Sequence, residues 1–227
     1  MPVRDGGWPM TPRNSAAAHG AALRAGARRG PWRHLLALLG VRTPAMRRAD
    51  SQAFLWGHGA EGEEITARML TALESRGWAI RHDRQLRGRR FNIDHVLVPP
   101  CGTAVVVVDS KNWHRGRTTA LVNGRVYCGA EDRHEEVEKV AKYARLVDRA
   151  LGLPGVAVWP LLVVHGSPVA GGHLEARVPG WDGPVHVLSP EMLLPRLAGA
   201  PQCWDPRRAE AVSARVDSVL LPYTEGT

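Results

Sequence analysis

The segment from Arg90 to Asn112 constrains the fold more than any other part of the chain. It contains two β-branched, apolar runs, Ile93 to Val98 and Thr103 to Val108, which a Pro-Pro-Cys-Gly breaker separates. Two such runs around a breaker are typical of a β-hairpin. The first run nevertheless contains a carboxylate, Asp94, and the second is followed directly by another, Asp109. A buried strand ordinarily has none.

Strand geometry predicts that these two acids share one patch. Side chains alternate between the faces of a strand, so Asp109 and Lys111 project to one side and the residue between them to the other. If the strands pair about the midpoint between Cys101 and Gly102, Asp94 lies opposite Asp109, with the Cβ atoms roughly 5 Å apart.

Such a patch indicates a metal site. Two adjacent carboxylates raise each other's pKa unless a cation neutralises them, and a divalent ion with oxygen ligands does so. Lys111 is one of only three lysines, with Lys139 and Lys142, and a compact ammonium suits a water or phosphate oxygen. The pattern predicts metal-assisted phosphodiester hydrolysis. The alternative is a solvated strand end with a surface ion pair.

The remaining periodicity predicts an α/β domain with a mixed central β-sheet flanked by helices. Glu63 lies in the first turn of the first helix, where exposed backbone amides also favour a carboxylate. The predicted helices are 61–76, 131–151, 190–197 (capped by Ser189) and 205–220. The predicted strands are 78–82, 118–122, 125–128, 156–164 and 185–188, with a Gly/Pro loop at 171–183.

The charge of the chain favours a polyanionic partner. The formal net charge is +8, which favours nucleic acid as a binding partner but does not indicate a fold. A basic loop of arginines leads into the hairpin, and we expect it to contact phosphates, although a solvated loop is the alternative. The predicted nucleic-acid-binding residues are Arg87, Arg89, Arg90 and Arg115, with Arg84 in the same loop.

Composition also suggests the domain organisation and the environment. We predict a flexible Arg/Ala/Gly-rich arm at 1–50 with a short helix at 31–39, a nuclease-like domain at 51–200 and a C-terminal helix packed on it at 201–227. The three cysteines form no Cys-x-x-Cys motif, which favours a reducing cytoplasm. No apolar run is long enough to cross a bilayer, so no membrane partner is expected.

Several other residues have competing structural interpretations. His95 and His114 flank the predicted site, but a single His beside a strand is more often structural. Trp113 could stack a base, but packing is the commoner role of a Trp at a strand end. Lys139 and Lys142 could face substrate, but charged residues off the apolar stripe of a helix more often form its solvated face. Glu135 and Glu138, four residues before them, are within reach as ion-pair partners.

Three motifs together resemble the nuclease-related domain (NERD) family, which is similar in fold and active-site plan to the PD-(D/E)XK, restriction endonuclease-like nucleases. They are Gly59-Ala60-Glu61-Gly62-Glu63, Asn92-Ile93-Asp94-His95 and Asp109-Ser110-Lys111-Asn112-Trp113. The resemblance covers roughly Trp56 to Val164.

The resemblance implies roles for these residues. Glu63 would lie on the first core helix, Asp94 and Asp109 would bind the metal, and Lys111 would position or polarise the attacking water. The chain departs from the family at Asp109, where Glu is usual. It also departs in the helix after the sheet, where a Pro and a Gln are expected and Glu135-Glu136-Val137-Glu138 stands.

The sequence thus supports two main hypotheses. The first is a Mg²⁺- or Mn²⁺-dependent nuclease acting on DNA, in which Asp94, Asp109, Glu63 and the Ser110 carbonyl hold the ion and Lys111 orients water. The second is a non-catalytic nucleic-acid-binding module that retains the fold. A protein-interaction domain is a weaker third. The choice between DNA and RNA, between internal and terminal cleavage, and between one ion and two stays open.

Overall fold

The computed structural model describes residues 61–89, 91–199 and 203–224, which belong to one compact unit, His58–Thr227. The helices are α1 (residues 61–74), α2 (His134–Leu151), α3 (Pro190–Ala198) and α4 (Pro206–Val219). The strands are β1 (Ala79–Leu86), β2 (Ile93–Val98), β3 (Ala104–Asn112), β4 (Thr119–Val122), β5 (Arg125–Cys128), β6 (Glu131–Asp132), β7 (Ala157–His165), β8 (His173–Ala176), β9 (Val185–Leu188) and β10 (Leu220–Pro222).

A seven-stranded mixed sheet organises the domain, in the order β10-β1-β2-β3-β7-β9-β8. The β3–β7 and β7–β9 pairs are parallel and the other pairs are antiparallel. The strands β4, β5 and β6 form a separate small sheet. The predicted mixed α/β fold with helices flanking a central sheet is therefore confirmed.

The β2–β3 hairpin has the predicted register. His95 pairs with Val108 and Leu97 pairs with Val106, which places the turn midpoint between Cys101 and Gly102. The β4–β5 hairpin also turns where predicted, because Asn123 and Gly124 both have positive φ, 49° and 78°, as a tight two-residue turn requires.

The helices cover the sheet as two layers. On one face, α1 and α3 bury Leu70, Leu73 and Leu193 against the middle of the sheet. On the other face, α2 and α4 pack through a second cluster that includes Val140 and Val216. Because successive side chains of β3 alternate between these clusters, each helix layer contacts a different set of β3 residues.

Three predicted boundaries are wrong, each because a pairing partner was not recognised. Residues Glu131 and Asp132 form β6 against β5, so α2 begins at His134 and not at 131. The Gly/Pro loop at 171–183 contains β8, which pairs with β9. The first strand continues to Leu86 because it pairs with both β2 and β10. Ser189 occupies the predicted N-cap position of α3, but its side chain makes no capping hydrogen bond.

The C-terminal segment completes the sheet. Asp205 accepts a hydrogen bond from the backbone N–H of Arg208 and caps α4, and the chain then continues directly into β10, the edge strand beside β1. The arm and helix predicted within residues 1–50 lie outside the described residues. No helix in the described part of the chain has the length and apolarity that a bilayer crossing requires.

Candidate active site

Asp94 and Asp109 lie on neighbouring strands, as the register predicts. One residue beyond the His95–Val108 pair, the hairpin places these two acids opposite each other. The backbone N–H of Ser110 donates to Asp94 Oδ2 at 2.7 Å, which holds the carboxylate against β3. Asp109 is only 2% exposed, so a charged group lies inside the domain at the end of a core strand.

Lys111 shares the face of Asp109. Its ammonium donates to Asp109 Oδ2 and, at 3.3 Å, to the carbonyl oxygen of Ser110, and it lies 3.7 Å from Glu136 Oε2. Burial alone would lower the pKa of Lys111, but Asp109, Asp94 and Glu136 together raise it above its ordinary value. Lys111 is therefore a protonated hydrogen-bond donor.

Glu63 approaches the same acids from α1. Burial and the negative charges of Asp94 and Asp83 raise the pKa of Glu63 to about 9. The pKa of Asp94 is raised to about 7 by burial and by Asp109, against the opposing effect of Lys111. The three predicted acids and the predicted amine thus converge, although Glu63 comes from the helix layer opposite α2.

Asp83 is a fourth acid, which sequence reasoning missed. In the β1–β2 register it stands opposite Asp94, and its positive φ of 49° interrupts the ladder there. Its Oδ1 accepts a hydrogen bond from Asn92 Nδ2 at 2.9 Å, and it also shares a hydrogen bond with Glu63. A predicted hairpin with its midpoint between Gly88 and Arg89 would have placed Asp83 opposite Asp94 from the sequence alone.

Lys139 and Glu136 bring α2 into the site. Lys139 Nζ lies 3.8 Å from Asp109 Oδ1 and 3.8 Å from Glu136 Oε2, so its partner on the helix is Glu136 and not the predicted Glu135. Glu136 Oε2 is buried and has no hydrogen-bond partner. The signal for Lys139 in the sequence was the scarcity of lysine.

A chain of hydroxyl contacts ties α1 to the back of β3. Ser110 Oγ donates to Thr66 Oγ1 at 2.9 Å, and Thr66 Oγ1 lies 2.7 Å from His165 Nε2. A Cβ on Gly62 would lie 3.2 Å from the same imidazole, so glycine lets α1 approach β7 closely. These contacts set the position of Ser110, whose backbone N–H binds Asp94.

The predicted phosphate-binding arginines lie at the same end of the sheet. Arg87 and Arg89 are exposed in the turn between β1 and β2, and Arg115 is exposed just after β3. Arg84 belongs to β1 and not to the loop. Arg90 lies outside the described residues.

The flanking residues take the structural roles that were offered as alternatives. His95 is 1% exposed, and its Nδ1 contacts His82 Nδ1 at 2.8 Å on the face away from Asp94. His114 Nδ1 accepts from the Gly116 N–H within its own turn. Trp113 is 7% exposed within the core, so packing, not base stacking, is its role.

The chemistry of this site fits a hard divalent cation. Such ions prefer oxygen ligands, and the carboxylates of Glu63, Asp94 and Asp109 and the carbonyl of Ser110 supply them. The raised pKa values arise from burial and mutual repulsion, which a bound cation relieves. The oxygens of the three carboxylates do not all lie within 4.8 Å of one another, so the cluster is looser than a closed ligand shell.

Comparison with known proteins gives one finding. Searches of curated proteins and of solved structures returned no match. The family model described as nuclease-related domain matches residues 58–165, which span α1 through β7 and so include every residue of the acidic cluster. The resemblance inferred from the three motifs is therefore confirmed over residues 58–165, the stretch that matches the nuclease-related domain model.

Proposed function

We propose that the protein is a Mg²⁺- or Mn²⁺-dependent nuclease that hydrolyses phosphodiester bonds in DNA. The observation that carries the proposal is the convergence of Glu63, Asp94 and Asp109 with the protonated Lys111 at one end of the sheet. Buried acids that repel one another destabilise a fold, and a metal-binding role accounts for their presence together.

The ligand roles follow from the donor atoms. Asp94 and Asp109 would hold the ion, with Glu63 and the Ser110 carbonyl completing the oxygen set. A bound Mg²⁺ or Mn²⁺ supplies Lewis-acid polarisation of a phosphoryl oxygen and activates water at neutral pH.

Lys111 would act as a donor and not as a base, because it keeps its proton. Its ammonium is placed to hydrogen-bond the attacking water or a non-bridging phosphate oxygen, and its positive charge offsets the charge that accumulates at the phosphate. Lys139, also beside Asp109, would add a second positive charge. Its exposed fraction of 41% exceeds the 21% of Lys111, so Lys139 is the more accessible of the two to a polymer.

The exposed arginines would bind the substrate backbone. Arg87, Arg89 and Arg115 flank the acidic cluster at the sheet end, where guanidinium groups can clamp phosphates on either side of the cleaved bond. Arg90 stays a predicted member of this set. The formal net charge of +8 favours the same partner, and the cysteine usage favours a cytoplasmic location.

The proposal is tested by cleavage of plasmid DNA and of matched DNA and RNA oligonucleotides, with and without Mg²⁺ or Mn²⁺. We expect metal-dependent cleavage by the wild type and losses of at least about 100-fold in Asp94→Ala and Lys111→Ala. Lys142→Ala is the matched control, since Lys142 is an exposed lysine on α2, and it should retain activity.

Two results would contradict the proposal. Unchanged cleavage in both site variants would refute the assigned roles. Binding of DNA with a steep salt dependence, but with no cleavage and no response to divalent metal, would instead establish a non-catalytic nucleic-acid-binding module.

A further inference from the structure

A second cluster of metal-ligating side chains lies on the last two strands of the large sheet. It consists of His173 and Glu175 on β8 and His186 on β9, with one ligand atom from each within 4.8 Å of the other two. Within the described parts of the chain, no other group of three His, Cys, Asp or Glu residues meets this criterion.

Strand pairing explains why the three side chains meet. His173 and Glu175 are two residues apart on β8 and therefore share a face. Glu175 stands directly opposite His186 in the antiparallel β8–β9 pair, which puts the third side chain on that same face. The cluster is thus built on regular, hydrogen-bonded strands and not on a loop.

The distances match the dimensions of a transition-metal site. His173 Nε2 and His186 Nδ1 share a hydrogen bond of 3.0 Å, and Glu175 Oε1 lies 3.8 Å from the first nitrogen and 3.7 Å from the second. A point equidistant from these three atoms lies about 2 Å from each, which is the distance at which Zn²⁺ binds imidazole nitrogen and carboxylate oxygen. The carboxylate is too far from either ring for a hydrogen bond, but its oxygen is nearly equidistant from the two nitrogens.

This cluster is separate from the acidic site. His186 pairs with Leu161 on β7, and Leu161 pairs with Val108 on β3, so His186 and Val108 lie on the same face of the sheet. Asp109, the next residue after Val108, therefore lies on the opposite face. Because β7 also separates β3 from β9, a metal bound by the histidines would not serve the carboxylate cluster.

We propose that His173, Glu175 and His186 form a second metal site that takes Zn²⁺ or a similar imidazole-binding divalent ion and not Mg²⁺. Zn²⁺ accepts both imidazole and carboxylate ligands, whereas Mg²⁺ disfavours the two imidazoles. The ion links β8, the short edge strand, to β9 through side chains, in addition to the backbone hydrogen bonds that already pair the two strands. Water or another small donor completes the coordination.

The surroundings of the cluster support accessible metal binding. Glu175 is exposed, while His186 is 7% exposed and fixed by stacking against Trp159 at a centroid distance of 5.8 Å. Arg196 Nη2 on α3 contacts Glu175 Oε1 at 3.4 Å. The guanidinium therefore competes with the ion for the same oxygen.

The experiment is a titration of the metal-free full-length protein with Zn²⁺ in excess Mg²⁺, followed by calorimetry and thermal unfolding. Excess Mg²⁺ occupies oxygen sites and leaves imidazole sites available. We expect Zn²⁺ to bind and raise the unfolding temperature, with His173→Ala and Glu175→Gln each weakening the affinity at least about tenfold. His114→Ala, which changes an exposed histidine of a local turn, should leave the affinity unchanged.

Co²⁺ gives a positional readout. It quenches nearby indoles, so Trp159, which stacks on His186, should lose fluorescence on Co²⁺ addition. Trp159→Phe should remove most of that quenching, because the indole beside the ion is then missing. The variant should fold normally, since Trp159 is 44% exposed and its replacement leaves the core intact. The absence of Zn²⁺ binding in excess Mg²⁺, or equal affinity in wild type, His173→Ala and Glu175→Gln, would overturn the proposal.

Discussion

Replacing Asp94 by asparagine should stabilise the metal-free protein and greatly reduce its stabilisation by Mg²⁺. Burial and Asp109 raise the pKa of Asp94 from 3.8 to about 7, and a pKa change of one corresponds to about 1.4 kcal/mol. The ionised carboxylate therefore costs the metal-free fold at most about 4 kcal/mol. Water reaching the partly buried group screens part of this cost, so we expect a gain of about 2 kcal/mol at pH 8. Asparagine retains an oxygen to accept the Ser110 N–H.

The pH dependence of this gain has a defined sign. A carboxyl whose folded-state pKa is raised costs the protein nothing below its unfolded-state pKa, and the cost grows as pH rises to the folded-state value. The difference in stability between Asp94→Asn and wild type should therefore be small near pH 4, increase up to about pH 7 and stay constant above it.

Urea and thermal unfolding in EDTA at pH 5 and pH 8 measure the effect. A gain of about 2 kcal/mol corresponds to about 4–8 °C in Tm for a domain of this size. Asp217→Asn is the control of opposite sign, since Arg81 donates to both oxygens of Asp217 at 2.8 Å and lowers its pKa. Because that pair is exposed, its loss should cost about 0.5–1 kcal/mol.

Added Mg²⁺ or Mn²⁺ completes the test without any need for activity. Each ion should raise the Tm of the wild type, and should raise that of Asp94→Asn much less, because binding to the folded state alone stabilises it. If Asp94→Asn destabilised the protein in EDTA at pH 8 as Asp217→Asn does, the carboxylates would not be held at an electrostatic cost. The acidic cluster would then need no cation to relieve it, and the reason for placing a metal there would be lost.

The remaining predictions concern the groups around the cluster. Thr66→Val should destabilise the protein by about 1–3 kcal/mol, because the Ser110 hydroxyl and His165 lose a buried partner. It should also lower kcat for DNA more than it raises KM, whereas Thr71→Val, an exposed change on the same helix, should do neither in steady-state cleavage assays. Lys139→Gln should reduce cleavage about 10-fold to 100-fold in single-turnover kinetics, through loss of positive charge beside Asp109; an unchanged rate would place Lys139 outside the mechanism. Arg87→Gln combined with Arg89→Gln should weaken DNA binding equally for all sequences and reduce the salt slope by about 0.9 for each lost phosphate contact; an unaltered slope would show that the turn does not contact DNA.

Local periodicity was enough to predict the centre of the site. The β2–β3 hairpin follows from two apolar runs and one breaker, and its register follows from the turn midpoint, so the opposition of Asp94 and Asp109 required no tertiary information. The shared face of Asp109 and Lys111 follows from the strand period. The resemblance to the nuclease-related domain family then implies a role for Glu63, which periodicity alone could not distinguish from a residue stabilising the start of a helix.

The parts of the site that sequence reasoning missed depend mainly on contacts between separate elements. Asp83 reaches the cluster because β1 continues past His82, where it pairs with β2 and, in its second half, with β10 from the far C-terminus. Lys139 resembles any residue of a polar helix face until α2 packs on β3 and places its ammonium beside Asp109. The strand β8 could not be predicted from its Gly/Pro-rich segment, because it forms by pairing with β9 and its own composition does not favour a strand. A charged side chain on a predicted surface therefore becomes a site residue only through the packing of its element, and the scarcity of lysine was the one local sign that Lys139 differed from the arginines around it.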